Sequence, residues 1–341
     1  MTQRRGASRY LSGISIFALL STAGATGALA DDPSMFDSMR WSYFLQGGFA
    51  IDPSANTLPY AQFYGPDLQV NPTSTQFPFL VGSGQGIDFR GGIAAHFNSP
   101  WSARLAYTGL RTWKKGDTGQ FPNYAVVSVL PNGDTPGSTG IGSSWNEAKV
   151  KTRVAADVAD FQAGYDVGLG DDISTTLVAG VRYGDIYQKT HVAILDSGRV
   201  LQFFNDRRSN FTGTGITVGI EAAAPLFGDG FGVSGSVLGG ALFGVLSSRT
   251  TGANTDNPPD PVIPRFFHDK KTAATLNADL ALTYGPSDWQ GVSFALGYQL
   301  SYYAGVRDTR NGSSGNGLAV YGSTGANLID QGPFFRANVG L

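Results

Sequence analysis

Ionisable side chains recur on the hydrophilic side of segments in which every second residue is apolar. Carboxylates and guanidinium groups that face a common space set which ions pass through a water-filled passage. The alternative is that such charges pair with one another and fill a narrow interior. We predict that the inward-facing, pore-lining residues are Asp88, Arg90, His96, Arg104, Asp160, Asp166, Arg182, Glu221, Asp279 and Arg336.

Histidine and aspartate also occur near one another in a pattern that hydrolytic chemistry can use. His191 and His268 each lie at the end of a predicted strand, and Asp196, Asp206 and Asp269 are close to them in the sequence. A histidine held by a carboxylate is a general base. No motif fixes the geometry of these groups, so we expect solvated loop residues and no enzyme activity. The sequence gives no reason to expect a cofactor or a metal.

An alternation with a period of two dominates the chain and must position these side chains. From Val292 to Tyr302 the even positions are Val, Phe, Leu, Tyr, Leu and Tyr, and the odd positions are Ser, Ala, Gly, Gln and Ser. One face is therefore apolar and the other is small and polar, as in a strand with one hydrophobic face. The same pattern predicts ten strands, within residues 41–51, 87–97, 101–107, 161–167, 177–183, 216–222, 231–243, 276–284, 292–302 and 335–341.

The connections between these strands alternate between short and long. Short connections contain turn formers, as in Asn98-Ser99-Pro100. Aromatic residues lie at both ends of the apolar faces, and a soluble β-sandwich explains neither feature. We predict an all-β fold, a single transmembrane antiparallel β-barrel of about ten strands with short periplasmic turns and long extracellular loops. The long connections are predicted at residues 52–84, 114–148, 190–209, 250–267 and 307–325.

One predicted strand, within residues 149–167, departs from the alternation. Lys151 and Arg153 are at odd positions and Asp160 is at an even position, so strict alternation places them on opposite faces of the strand. The charges share one face only if a bulge lies near Asp157–Ala159. Otherwise the upper half of the strand must stand clear of lipid.

Two further features lie inside the predicted long connections. A strand pair that would change the strand number is possible within residues 58–70 and 119–130. Residues 192–195 and 200–204 flank Asp196-Ser197-Gly198, which predicts a projecting β-hairpin.

The first thirty residues have the composition of an export signal. Arg4, Arg5 and Arg9 precede an apolar stretch from Leu11 to Leu20, and Ala28-Leu29-Ala30 follows it. A positive region, a short apolar region and an A-x-A site define a secretory signal peptide. We therefore predict a signal peptide over residues 1–30 and an outer-membrane β-barrel over residues 31–341.

The composition excludes several classes of protein. The 341 residues include 47 glycines, about twice the usual share of roughly 7%. Aromatic residues make up 12% of the chain and its net charge is −2. This composition argues against disorder and gives no electrostatic reason to expect nucleic acid as a partner. The chain has no cysteine, so any oligomer cannot be linked by disulfides.

Glycine-rich segments in the same order along the chain carry a family resemblance. They are Asp88-Phe89-Arg90-Gly91-Gly92, residues 157–168 with Gly180-Val181-Arg182-Tyr183, and Phe211-Thr212-Gly213-Thr214-Gly215 with Gly219. In these segments the chain resembles the Legionella-type major outer membrane protein family, a set of pore-forming outer-membrane barrels. The resemblance implies a porin or surface protein of a Gram-negative outer membrane. The disulfide-linked assemblies associated with the family's founding members cannot form here.

Two functions follow from the predicted barrel. The first is passive, porin-like diffusion of ions or small hydrophilic solutes through a narrow polar lumen. The second is a structural or adhesive surface barrel that acts through its extracellular loops without transport. We expect outer-membrane lipids and lipopolysaccharide as neighbours of the barrel wall, and host surface molecules as partners in the second case.

Overall fold

Thirteen β-strands form in the residues that the computed structural model describes, which are 39–53, 59–64, 76–80, 84–117, 125–128, 145–168, 173–196, 198–227, 230–254, 265–286, 289, 291–307 and 326–341. The predicted signal peptide, residues 1–30, lies outside these residues. None of the described residues belongs to a helix long and apolar enough to cross a membrane. In chain order the strands are β1 (Arg40–Asp52), β2 (Pro59–Tyr64), β3 (Gln76–Leu80), β4 (Gly84–His96), β5 (Trp101–Asp117), β6 (Ala125–Ser128), β7 (Trp145–Asp166), β8 (Ser174–Asp196), β9 (Leu201–Phe227), β10 (Phe231–Asn254), β11 (Arg265–Tyr284), β12 (Val292–Arg307) and β13 (Ala326–Gly340).

Ten of these strands close into one antiparallel barrel. Their order around the wall is β1-β13-β12-β11-β10-β9-β8-β7-β5-β4, and β4 returns to β1. The first and last strands pair, with Tyr43 opposite Val339 and Leu45 opposite Ala337. Closure leaves the wall without a free edge, which a sheet must achieve to cross hydrocarbon. The predicted ten-strand barrel is confirmed.

The other three strands form a separate sheet in the order β3-β2-β6. β2 comes from the connection between β1 and β4, and β6 comes from the connection between β5 and β7. The two pair directly, with Phe63 opposite Val126. The strand pair that the sequence allowed in these connections therefore exists, but it is not part of the barrel wall and leaves the strand number at ten.

The outer face of the barrel carries a band of exposed apolar side chains. On β8 and β9, Val181 is 57% exposed and Ile216 is 60% exposed, while their neighbours Arg182 and Thr217 are buried. A continuous apolar surface of this extent is unfavourable in water but favourable in contact with lipid. Aromatic pairs lie at the short-turn end of the band, such as Trp101 with Tyr165, whose ring centroids are 4.9 Å apart. Such aromatic girdles mark the membrane interfaces of outer-membrane barrels.

β8 and β9 continue well beyond this band. The predicted long connection over residues 190–209 is wrong, because β8 extends to Asp196 and β9 begins at Leu201. Val192 and Ile194 still face inward and are 4% and 0% exposed, so the alternation holds to the tip. The projecting β-hairpin predicted around Asp196-Ser197-Gly198 is confirmed.

β7 has no bulge at the predicted place. Its register with β5 and β8 is unbroken from Lys149 to Tyr165. Thr152 and Val154 face inward and are buried, so Lys151 and Arg153 point outward. The upper half of the strand therefore presents charge on its outer face, above the level of the lipid-facing residues.

The short turns depend on glycine at two positions. Gly230 (φ 87°) joins β9 to β10, and Gly291 (φ 78°) precedes β12. Both lie in the left-handed region, which favours glycine. Gly285 N–H donates to the Gly230 carbonyl at 2.9 Å, and Gly340 N–H donates to the Gly291 carbonyl at 2.7 Å. These bonds tie neighbouring turns together at the periplasmic end.

Candidate functional site

A buried ion pair between β7 and β8 lies inside the barrel. Arg182 donates to both carboxylate oxygens of Asp160, at 2.6 and 3.0 Å, and both side chains are almost fully buried. Arg182 Nη1 also donates to Asn277 Oδ1 at 2.5 Å and to Thr275 Oγ1 at 3.2 Å. These two residues belong to β11, which is separated from β8 by two strands of the wall. The guanidinium group therefore bridges the lumen, and its bidentate bonds offset the cost of burying two charges.

A second charge pair crosses the lumen closer to the periplasmic end. Arg104 on β5 donates to Glu221 Oε1 on β9 at 2.5 Å, although β7 and β8 separate these strands. Gln162 Oε1 accepts two further bonds from the same guanidinium group, at 3.0 and 2.6 Å. The Arg104 and Glu221 side chains are 20% and 29% exposed. This pair is more accessible than the pair of Arg182 and Asp160.

Amide side chains link β1, β4 and β12 on the opposite side of the lumen. Gln299 Nε2 donates to Asp88 at 2.5 Å, and Gln46 Nε2 donates to Gln299 Oε1 at 2.5 Å. Gly48 makes room for this chain of bonds. A Cβ atom at Gly48 would lie 2.5 Å from Asp88 Oδ1 and 2.8 Å from the Pro333 carbonyl oxygen. Small residues on the inner face thus create the space that its polar side chains occupy.

Two more arginines complete this level of the lumen. Arg336 donates to Asp279 Oδ1 at 2.9 Å, and the Ser236 hydroxyl donates to the same carboxylate. The Arg90 guanidinium carbon lies 5.8 Å from the centre of the Phe44 ring. We call the inward-facing polar set of this level the polar belt: Gln46, Asp88, Arg90, Arg104, Asp160, Gln162, Arg182, Glu221, Asp279, Gln299 and Arg336.

Eight of the ten predicted pore-lining residues belong to the polar belt, and His96 and Asp166 do not. His96 Nε2 forms a hydrogen bond with Ser42 Oγ at 3.1 Å. Asp166 accepts a hydrogen bond from Thr176 Oγ1 at 2.5 Å. Both residues are exposed at the short-turn end of their strands, so they line the periplasmic mouth instead.

A contacting cluster of buried apolar side chains lies inside the barrel beyond the polar belt. On every strand that contributes to both groups, the apolar residue is nearer the long-loop end. On β8, for example, Ile186 follows Arg182, and on β9, whose direction is opposite, Phe211 precedes Glu221. We call this cluster the apolar layer: Ala50, Leu110, Val154, Ala156, Val158, Ile186, Phe211, Leu242, Leu246, Ala273, Tyr303, Val306 and Leu328, all at most 3% exposed.

A further ion pair lies at the long-loop side of the apolar layer. Arg307 Nη2 on β12 donates to the Asp52 carboxylate on β1, and both side chains are 1% exposed. Lys114 on β5 is near this pair. Its side chain is also buried, at 7% exposed. Charged groups therefore bound the apolar layer on both sides.

The two histidines considered for catalysis are both on the outside of the barrel. His191 Nδ1 lies 2.8 Å from Asp206 Oδ1 in a directly opposed pair of β8 and β9. His268 lies on β11 opposite Ser247 of β10, so two strands separate the histidines. They do not form one site. Within the residues that the structure describes, no group of three or more His, Asp and Glu side chains could hold a metal ion.

Several interior groups escaped prediction from the sequence. Gln46, Gln162 and Gln299 occupy inward positions of the alternation, but an uncharged amide gives no signal of a cross-lumen partner. Asp52 and Arg307 lie at strand ends that were assigned to long connections. The apolar layer was not predicted because its residues face inward, whereas the apolar residues in the lower part of the barrel face outward.

The lipid-facing band, the closed wall and the polar interior define an outer-membrane β-barrel protein. The family model described as the Legionella pneumophila major outer membrane protein precursor matches residues 81–340. The chain belongs to this family, which places it in the outer membrane of a Gram-negative cell and confirms the resemblance. No curated protein is similar enough to match the sequence.

Among solved structures, the chain is similar to other outer-membrane barrels at low identity. The outer membrane protease OmpT from Escherichia coli is 10% identical with a TM-score of 0.42, covering 89% of this chain and 96% of that chain. The Pseudomonas putida toluene transporter TodX is 9% identical with a TM-score of 0.29, covering 89% of each chain. A Pseudomonas aeruginosa FadL homologue is 7% identical with a TM-score of 0.25, again covering 89% of each chain. These likenesses are too distant to carry an argument about function.

Proposed function

We propose that the protein is an outer-membrane pore for passive diffusion of ions or small hydrophilic solutes, and that the apolar layer is its gate. The observation that carries the proposal is the order of the two groups in the lumen. A belt of charges of both signs crosses the membrane-spanning part, and an apolar layer follows at the extracellular side. A charged ring gives a pore its ion preference, and an apolar constriction gates a pore by excluding water.

The polar belt supports a hydrated lumen. Among the residues that the structure describes, Gln46 Oε1, Asp88 Oδ1 and Gln162 Nε2 are buried without a hydrogen-bond partner, as are Arg90 Nε and Arg336 Nε. A buried polar atom without a partner costs about 1–3 kcal/mol. Water is the partner that a polar interior of this kind recruits. A belt with spare donors and acceptors is suited to exchanging them with a hydrated ion.

The apolar layer accounts for closure. Its side chains are in contact and nearly unexposed, so water does not reach them in the described conformation. Opening requires displacement of these apolar side chains, and passage through the polar belt also requires the ion pairs that cross it to exchange partners. A polar substitution in the layer should therefore increase conduction, because a hydroxyl group stabilises water at the constriction.

Conductance through a planar lipid bilayer tests this proposal. Leu246→Ser places a hydroxyl group in the apolar layer, and Val245→Ser likewise replaces an apolar side chain by serine at the adjacent, outward-facing residue. We expect infrequent openings for the wild type and for Val245→Ser, and a several-fold higher open probability for Leu246→Ser. In the open state, Arg104→Gln should shift selectivity towards cations, because it removes a positive charge from the polar belt.

The proposal is overturned if purified, folded wild type and Leu246→Ser are both electrically silent. It is also overturned if Val245→Ser raises the open probability as much as Leu246→Ser, since the effect would then come from altered wall stability. If Arg104→Gln leaves the ion selectivity of the openings unchanged, conduction does not pass through the polar belt.

A surface role through the loops is the second candidate, favoured by the projecting β8–β9 hairpin. This hairpin continues beyond the lipid-facing band and carries exposed Val200 and Leu201 at its tip. A conductance-silent barrel whose attachment to host cells falls on replacement of Val200 and Leu201 by serine would support this role. Attachment that is unchanged by these substitutions would contradict a surface role for the hairpin tip.

A further inference from the structure

Four basic side chains form one row across the outer face of the wall. Arg153 on β7 lies opposite Lys189 on β8, Lys189 opposite Arg208 on β9, and Arg208 opposite Arg249 on β10. Directly opposed residues of neighbouring strands have Cβ atoms about 5 Å apart, and like charges at this spacing are destabilising. We call Arg153, Lys189, Arg208 and Arg249 the basic row.

The barrel residues that the structure describes give the basic row no ion-pair partner. None of the ion pairs among the residues that the structure describes includes a member of the row. The outward-facing acid nearest to it is Asp206, two residues from Arg208, and its carboxylate is engaged by His191 at 2.8 Å. Residues 152, 188, 190 and 209 face inward and are buried, which fixes the row on the outside.

The basic row lies at the extracellular side of the lipid-facing band. On β10, Arg249 follows the exposed apolar residues Phe243 and Val245. On β8 and β9 the row likewise lies on the long-loop side of Val181 and Ile216. On β10 only one outward residue, Ser247, separates Val245 from Arg249, so headgroups that border the band lie within reach of this end of the row.

Aromatic side chains bound the row at both ends. Trp113 on β5 lies opposite Arg153 and is 52% exposed. Phe266 on β11 lies opposite Arg249, is 65% exposed, and its ring centre is 5.2 Å from the Arg249 guanidinium carbon. Exposed aromatic residues beside basic ones are typical of the membrane–water interface, where rings contact the apolar boundary and cations contact headgroups.

We propose that the basic row is a binding site for the phosphate groups of lipopolysaccharide in the outer leaflet. Guanidinium and ammonium groups are the side chains suited to phosphate. Several phosphates on one lipid match a row of charges spread over four strands better than a single small anion does. The site is on the wall and not in the lumen, so this inference is independent of the proposed pore.

Binding of purified lipopolysaccharide to the folded barrel in detergent tests the site. The row variant is Arg153→Gln/Lys189→Gln/Arg208→Gln. The control variant, Arg40→Gln/Arg199→Gln, removes charge from two exposed positions away from the row, one at the short-turn end of the barrel and one at the tip of the β8–β9 hairpin. We expect wild type and control to bind within about twofold of each other, and the row variant to bind roughly 100-fold more weakly, because each basic side chain contributes about a fivefold factor near a lipid surface.

Three outcomes overturn the proposal. The first is equal binding by the row and control variants, both retaining the circular dichroism of the wild-type barrel. The second is equal binding of lipopolysaccharide stripped of its phosphates, since acyl chains alone would then suffice. The third is full competition by millimolar inorganic phosphate, which would identify a site for the free anion and not for the lipid. The proposal is supported if only the row variant loses binding, if removal of the phosphates weakens binding of lipopolysaccharide, and if inorganic phosphate does not compete fully.

Discussion

β7 carries two aspartates that meet arginines on opposite sides of the barrel wall. Asp160 faces the lumen and pairs with Arg182, and the two side chains are 3% and 2% exposed. Asp157 faces outward and pairs with Arg111 at 2.8 Å, with 35% and 44% exposed. The pairs are only three residues apart along the strand, yet water reaches one and not the other. Burial, and not the identity of the charged groups, therefore decides what each pair contributes to stability.

Removing the inner arginine should have the largest effect on stability. Arg182→Met leaves the Asp160 carboxylate buried without its bidentate partner and should lower the free energy of unfolding by about 3–5 kcal/mol. Equilibrium unfolding by guanidinium of the barrel in lipid vesicles measures this loss. The double variant Arg182→Met/Asp160→Leu should recover most of it, because no charge remains unpaired. A loss no larger than that of Arg111→Met would contradict the burial of this ion pair.

Truncating an inward apolar residue should have the next largest effect. Leu242 is 0% exposed in the apolar layer, and Leu242→Ala should cost about 2–5 kcal/mol by leaving a cavity. Val245→Ala on the outer face of the same strand, where Val245 is 43% exposed, should cost below about 1 kcal/mol. The same unfolding measurement compares them. Similar losses at the two positions would mean that the apolar layer is not tightly packed.

Removing the outer arginine should have the smallest effect. Arg111→Met breaks the exposed pair with Asp157 and should change the free energy of unfolding by at most about 1 kcal/mol. Salt should reduce this difference further, since screening acts on exposed charges. Repeating the unfolding at low and high ionic strength checks both statements. A loss of several kcal/mol that persists in high salt would place Asp157 in a far less solvated environment than its exposure indicates.

Alternation in the sequence was enough to predict the barrel and the inward direction of residues such as Asp160 and Arg182. It could not predict that Arg104 meets Glu221, because partners across the lumen depend on the stagger between strands that are not neighbours. The sequence allowed either a bulge in β7 or an upper half clear of lipid, and the absence of the bulge has a physical explanation. Lipid surrounds its lower half, so Phe161 faces outward, whereas water surrounds its upper half, so Val154 faces inward. The hydrophobic side changes while the strand itself continues unbroken.

The seam between β1 and β13 joins the first and last strands of the barrel, which are the farthest apart in the sequence. Until β13 has been synthesised, β1 has no partner on that side, and every intermediate exposes two unpaired edges. Contacts this distant in sequence form slowly, and open edges invite aggregation. The nascent chain consequently needs protection during its journey to the membrane, and loss of even the last strand should prevent insertion instead of producing a smaller barrel.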